Sequence, residues 1–243
     1  MAVIQIKNFK KSFGHKIVHD GVSLDVFKGE CLGLIGGSGA GKSVLLRSLI
    51  GLEKADQGKI LIENIDITNM PENELIKIRK KVAYVFQNGA LFDSMTVFDN
   101  LAFSLRAHTK MSEFDIDKKI SVQLDEFGLL HAKYLYPSEL SGGMQKRVGL
   151  ARAIMMDPDI ILYDEPTAGL DPYNTLKIQE LILRLKTKGV TSILVTHDMP
   201  TAINVCDRFV FLQNNVISED GTTKELLEKP NSLVNQFIKG QIV

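Results

Sequence analysis

The sequence predicts an α/β fold built on a parallel sheet with helices on both faces, and three observations predict it. Short apolar runs at residues 31–35, 82–86, 160–163 and 191–195 have the length and side chains of buried strands. Helical patterns occupy 43–50, 141–156 and 172–188, so strands and helices alternate. The first strand runs straight into Gly36-Gly37-Ser38-Gly39-Ala40-Gly41-Lys42-Ser43, which fits G-x-x-x-x-G-K-[ST], a loop whose backbone N–H groups wrap phosphates.

The elements follow in order. Residues 3–26 partly alternate in apolar character, in Val3-Ile4-Gln5-Ile6 and Val22-Ser23-Leu24-Asp25-Val26, which predicts antiparallel strands at the N-terminus. The helix over 43–50 should turn Val44, Leu45, Leu49 and Ile50 inward, and Ile60-Leu61-Ile62 reads as a further strand. From Phe98 to Gly128 the period becomes helical, through Phe98, Leu101, Ala102 and Leu105 and then Ile116, Ile120, Val122, Leu124 and Phe127. A helical insert of about 88–157 therefore interrupts the α/β frame. Phe209-Val210-Phe211-Leu212, Asn214-Asn215 and Val216-Ile217 predict a hairpin, and 231–239 a closing helix. With no linker or repeat, 1–243 reads as a single domain.

Composition excludes several classes. Lys and Arg together number 29 and Asp and Glu 29, so nothing suggests a polyanion-binding surface, and nucleic acid is not an expected partner. No apolar run approaches about 18 residues and the first residues lack a signal-peptide h-region. The expectation is a cytoplasmic chain that reaches a membrane only through a partner. Cys31 and Cys206 are too few for a disulfide framework and have no metal spacing, which makes both structural.

Chemistry concentrates where strands end. Lys42 reaches outer phosphates and the Ser43 hydroxyl suits Mg²⁺. Asp164 and Glu165 follow a buried strand, at the edge of a parallel sheet where ligands bind. Either acid alone could cap a turn before Pro166. Beside a phosphate loop, Asp164 is expected to hold Mg²⁺ and Glu165 to act as the base that orients the attacking water. His197 and Gln87 stand at equivalent strand ends, where one could donate to a γ-phosphate and the other reach the metal and the water. Ser141-Gly142-Gly143 opens a helix as cap and close-approach glycines, which fits an anion site or a plain capped helix. Asp171-Pro172 likewise has the form of a helix cap.

Together these six separated motifs, including Leu140-Ser141-Gly142-Gly143 and Ala168-Gly169-Leu170-Asp171, resemble the nucleotide-binding subunit of ATP-binding-cassette (ABC) transporters over nearly the whole chain. The resemblance implies a P-loop NTPase of ABC type: a RecA-like core, an N-terminal antiparallel β subdomain and an inserted α-helical subdomain. It implies ATP and Mg²⁺ as ligands, with Phe13 stacking on adenine, Gly36 to Val44 around the phosphates, and Ser43, Gln87 and Asp164 on the metal. Glu165 would be the catalytic carboxylate, His197 the switch histidine and Gln87 a sensor of γ-phosphate and permease. Ser141, Gly142 and Gly143 would meet the ATP of a second ATPase subunit, and Asp171 would organise the junction. Three positions depart from the family pattern: Val44, Met144 and Ala168, where Thr, Gln and Ser are frequent. None touches Lys42, Asp164, Glu165 or His197, so an active ATPase is expected.

A narrower resemblance runs from Phe86 to Phe103, with Pro137 to Met144 and Asn235 to Gly240, to the ATPases of Mla/Mce lipid-transport systems. It implies an integral membrane permease, an Mce-type lipid-binding protein and a lipid cargo, phospholipid foremost, with the ATPase peripheral on the cytoplasmic face of a bacterial inner membrane. Leu91, Phe92, Met95, Val97 and Phe98 are more apolar than a loop needs, and serve either a permease cleft or the insert's core. The alternatives are an importer of a small polar solute, a soluble ABC protein acting on ribosomes or DNA, and a small-molecule P-loop kinase. The chain has one cassette and no sustained heptads, and a kinase leaves Leu140 to Gly143 unexplained.

Overall fold

A computed structural model describes residues 1–241. In chain order it has β1 (Ala2–Phe13), β2 (Lys16–Phe27), β3 (Cys31–Ile35), α1 (Lys42–Ser48), β4 (Gln57–Ile62), β5 (Ile65–Asp66), α2 (Glu72–Arg79), β6 (Val82–Val85), α3 (Val97–His108) and α4 (Glu113–Glu126). There follow α5 (Gly142–Ala153), β7 (Ile160–Asp164), α6 (Pro172–Thr187), β8 (Thr191–Val195), α7 (Met199–Val205), β9 (Arg208–Gln213), β10 (Val216–Thr222), α8 (Thr223–Glu228) and α9 (Leu233–Ile238).

Two sheets form. One is antiparallel with order β2-β1-β4-β5, and the other has order β10-β9-β3-β8-β7-β6. In the larger sheet β6, β7, β8, β3 and β9 are mutually parallel, and β10 returns antiparallel on β9. Because successive strand side chains point to opposite faces, each central strand feeds two cores. Leu32, Leu34, Ile160, Leu162, Ile193, Val195, Val210 and Leu212 face the core shared with the antiparallel sheet and α1. Cys31, Ile35, Ile161, Tyr163, Leu194, Phe209 and Phe211 face a second core, shared with α3, α4, α5 and α6. Each such aliphatic side chain contributes about 2 kcal/mol by leaving water, so the central strands are held from both sides. Their C-terminal ends therefore form a stiff common edge.

The hairpin turn at Asn214 and Asn215 has φ of 50° and 67°, as a two-residue turn between twisted strands requires. Cys31 and Cys206 are buried free thiols whose sulfurs lie 3.8 Å apart. Two side-chain expectations change. Val122 is 57% exposed, because Ile116, Ile120 and Leu124 make the buried stripe of α4 and Val122 lies on the opposite face. In α1, Leu46 is buried and Val44 only partly so. Four short elements, β5, α2, α7 and α8, lack an apolar period long enough to read. A signal for α8 did exist: Thr222 and Glu225 form a reciprocal capping box. Among the described residues no helix is long and apolar enough to cross a membrane.

Candidate functional site

The edge of the parallel sheet gathers the phosphate loop after β3, Asp164 at the end of β7, and Glu165, His197 and Gln87 just beyond β7, β8 and β6. A cleft of about 570 Å³ opens there, lined by Phe13, Ser38, Gly39, Gly41, Lys42, Ser43, Val44, Gln87, Glu165 and His197, among others. Gly36, Gly37 and Ala40 sit behind that lining. The Lys42 ammonium donates to the carbonyls of Gly36 and Gly37, at 2.7 and 2.9 Å. Burial pushes Lys42 below the ordinary lysine range, and the carboxylates of Glu165 and Asp164 partly offset this. The side chain is thus a desolvated cation with acceptors that a phosphate can replace.

Gly41 makes the loop possible. It caps α1 at φ 98°, and a Cβ there would fall 2.5 Å from Val18 Cγ1 and 2.8 Å from the ring of buried His19. His19 Nε2 stands 3.1 Å from the Gly41 carbonyl, which can only accept, so Nε2 carries the proton. Gly41→Ala is expected to combine strain of about 1–3 kcal/mol with displacement of the loop. A fluorescent-nucleotide titration should show affinity falling more than tenfold.

Asp164 is held at both oxygens. Ser43 Oγ donates to Oδ1 at 2.8 Å and the Tyr84 hydroxyl donates to Oδ2 at 2.6 Å. Hydroxyl and carboxylate side by side are the hard oxygen donors that suit Mg²⁺, which uses one or two carboxylates with phosphates and water. No group of three or more His, Cys, Asp or Glu among the described residues suits a metal by itself. A Mg²⁺ ion here would therefore need ligands beyond Ser43 and Asp164, from Gln87, nucleotide and water.

Glu165 adopts φ 52°, a left-handed conformation rare for a non-glycine residue. Its N–H donates to the Val195 carbonyl at 2.9 Å, and its Oε2 accepts from the His197 N–H at 3.2 Å. His197 Nε2 lies 3.3 Å from Glu165 Oε1, with the carboxylate 13% exposed and the imidazole 52% exposed. Register between β7 and β8, which pairs Asp164 with Val195, puts these two strand ends side by side.

Phe13 sits near the tip of the β1–β2 ribbon, 47% exposed, with the Lys11 ammonium 4.8 Å from its ring centroid. Its position at the cleft mouth suits stacking on a planar base.

The second glycine cluster does not line this cleft. Ser141 caps α5 by accepting from the Met144 N–H at 3.3 Å, and Ser141 and Gly142 are exposed. Gly143 is required by a close neighbour: a Cβ would fall 2.6 to 2.8 Å from the side-chain atoms of Asn174. Asn174 is fixed by Asp171, which caps α6 and accepts from the Asn174 backbone at 2.9 Å and side chain at 2.5 Å. Those donors hold the Asp171 carboxyl below its usual range. Lys146 on α5 donates to the Ala168 carbonyl, tying α5 to the segment that follows Glu165.

Sequence reasoning missed Tyr84, Asn174 and Lys146 as members of this arrangement. Only Tyr84 carried a trace, since side chains two apart on a strand share a face and Phe86 was already in view. The apolar stretch divides between the two readings left open for it. Val97 is wholly buried, Leu91 and Phe98 pack against the core, and Phe92 is 43% exposed beside Phe103 at 5.2 Å. None of the five lines a separate cleft of about 460 Å³, whose walls include Leu52, Ile76, Tyr84, Phe86, His108 and Arg152.

A family model described as ABC transporter matches residues 19–168. The chain is 39% identical over 240 residues to the intermembrane phospholipid transport system ATP-binding protein MlaF of Haemophilus influenzae, covering 98% of this chain and 91% of that one. It is 42% identical to the probable ribonucleotide transport ATP-binding protein mkl of Mycobacterium leprae, covering 98% and 69%. It is 38% identical to the methionine import ATP-binding protein MetN of Campylobacter jejuni, covering 97% and 75%. Among solved structures, the dimeric post-hydrolysis state of the ATP-binding cassette MJ0796 bound to ADP and Pi superposes with a TM-score of 0.84 at 32% identity, covering 90% of this chain and 98% of that one.

Proposed function

The chain belongs to the ABC transporter family as an ATP-hydrolysing subunit, and from that premise we propose that it drives lipid, phospholipid foremost, through a partner permease. The observation that carries the chemistry is the convergence of Lys42, Ser43, Gln87, Glu165 and His197 on one cleft, with Asp164 directly behind Ser43. Phe13 takes the base, and the loop from Gly36 to Val44 takes the phosphates. Ser43 and Asp164, with Gln87, would hold Mg²⁺, whose charge would neutralise that of the phosphates. Glu165 accepts a proton from the attacking water, while His197 holds the carboxylate through its N–H and faces the γ-phosphate. Catalysis of this kind is positioning and electrostatics, so the stiff strand ends matter as much as the groups they carry.

Two such subunits act together, each presenting Ser141, Gly142 and Gly143 to the nucleotide of the other; the dimeric state of MJ0796 supports the pairing of two subunits. The subunit works on the cytoplasmic face of a bacterial inner membrane, bound to an integral permease, with an Mce-type lipid-binding protein in the complex. Similarity to MlaF over 98% of the chain supports the lipid cargo. The methionine-import relative supports a second reading, an importer of a small polar solute. Capture of the complex from its membrane, with mass spectrometry of subunits and bound molecules, separates them. A permease with an Mce-type subunit and enriched phospholipid is the expected result, whereas a periplasmic solute receptor without lipid overturns the lipid cargo.

A further inference from the structure

Tyr84 belongs to two places at once. Its ring forms part of the wall of the 460 Å³ cleft, 4.4 Å from the ring of Phe86, which is 37% exposed in the same wall. Its hydroxyl donates at 2.6 Å to Asp164 Oδ2, while Asp164 Oδ1 accepts from Ser43 in the nucleotide cleft. The hydroxyl is the donor and the carboxylate the acceptor, so the bond fixes where Oδ2 points. One rigid side chain with few rotatable bonds therefore joins the apolar wall to the carboxylate beside the phosphate loop.

We propose that Tyr84 is a positioning residue that fixes the orientation of Asp164. With Oδ2 engaged, Asp164 turns Oδ1 toward Ser43. Gln87 lines only the nucleotide cleft, whereas Tyr84 lines the other and touches Asp164. This inference rests on the reading of Asp164 as the metal carboxylate.

The test uses the purified chain with Mn²⁺ as probe and a non-hydrolysable ATP analogue, reading bound metal by electron paramagnetic resonance. Tyr84→Phe keeps the ring and removes the donor, and is expected to weaken Mn²⁺ binding about tenfold, the scale of a lost hydrogen bond to a charged group. Binding of the analogue in EDTA should change less than twofold. Asp164→Asn is the control for the underlying reading, and should weaken Mn²⁺ further. If Asp164→Asn leaves Mn²⁺ binding unchanged, the metal assignment fails; if it weakens binding and Tyr84→Phe does not, the role of Tyr84 alone fails.

Discussion

Glu165→Gln is expected to lower steady-state ATP hydrolysis by about 10²- to 10³-fold while leaving ATP binding within a few-fold of the starting protein, the scale of losing a positioned general base. The geometry separates the two effects. Glutamine keeps the length of the side chain and an oxygen that can accept from the His197 N–H, now 3.2 Å from Glu165 Oε2, so the packing of the two strand ends is retained. What disappears is the carboxylate charge and its capacity to take a proton. Lys42, which that charge holds up against desolvation, loses one of its two compensating neighbours, but Asp164 remains. The variant should therefore accumulate with ATP bound, as a closed dimer on size exclusion. A kcat near that of the starting protein would remove Glu165 from the role of base. The left-handed backbone at Glu165 sharpens the expectation, because φ 52° is held by the N–H bond to Val195 and has no reason to relax in an isosteric variant.

Much of this arrangement could be read from residues alone because it sits at strand ends, where an apolar run stops and a polar residue with specific chemistry begins. Asp164, Glu165, Gln87 and His197 all have that form, and the parallel pairing of their strands sets them along one edge of the sheet. Residues that act from inside an element are less visible. Tyr84 is one member of an apolar strand until the parallel pairing with β7 brings its hydroxyl to Asp164. Asn174 is an ordinary helix residue until the Asp171 cap folds its side chain against Gly143. Val44, Val122 and the apolar residues from Leu91 to Phe98 show the other difficulty. Hydrophobicity marks what avoids water but not which neighbour covers it, so a core position such as Val97 and an exposed one such as Phe92 look alike in the chain.

Ser141→Arg is expected to bind ATP within about twofold of the starting protein and yet lose ATP-dependent dimer formation, with hydrolysis down more than tenfold. Ser141 lies outside the lining of the chain's own nucleotide cleft, so its replacement leaves Lys42, Ser43 and Phe13 untouched. At the exposed N-terminus of α5, however, it removes the acceptor for the Met144 N–H and adds a cation to a helix end that favours anions. If that end meets a γ-phosphate carried by a second subunit, the bulk of the arginine holds the two apart. Local unfolding of α5 would give a similar loss, and complementation distinguishes them. Lys42→Ala should fail on its own because its phosphate loop lacks the cation, although its Ser141 is intact. Mixed with Ser141→Arg, it can form one heterodimer site in which Lys42 comes from one chain and Ser141 from the other. Hydrolysis in the mixture above that of either variant alone is the expected outcome, and it is a result that a site confined to a single chain cannot produce. Full activity of Ser141→Arg alone would show that the two glycine clusters do not share a nucleotide.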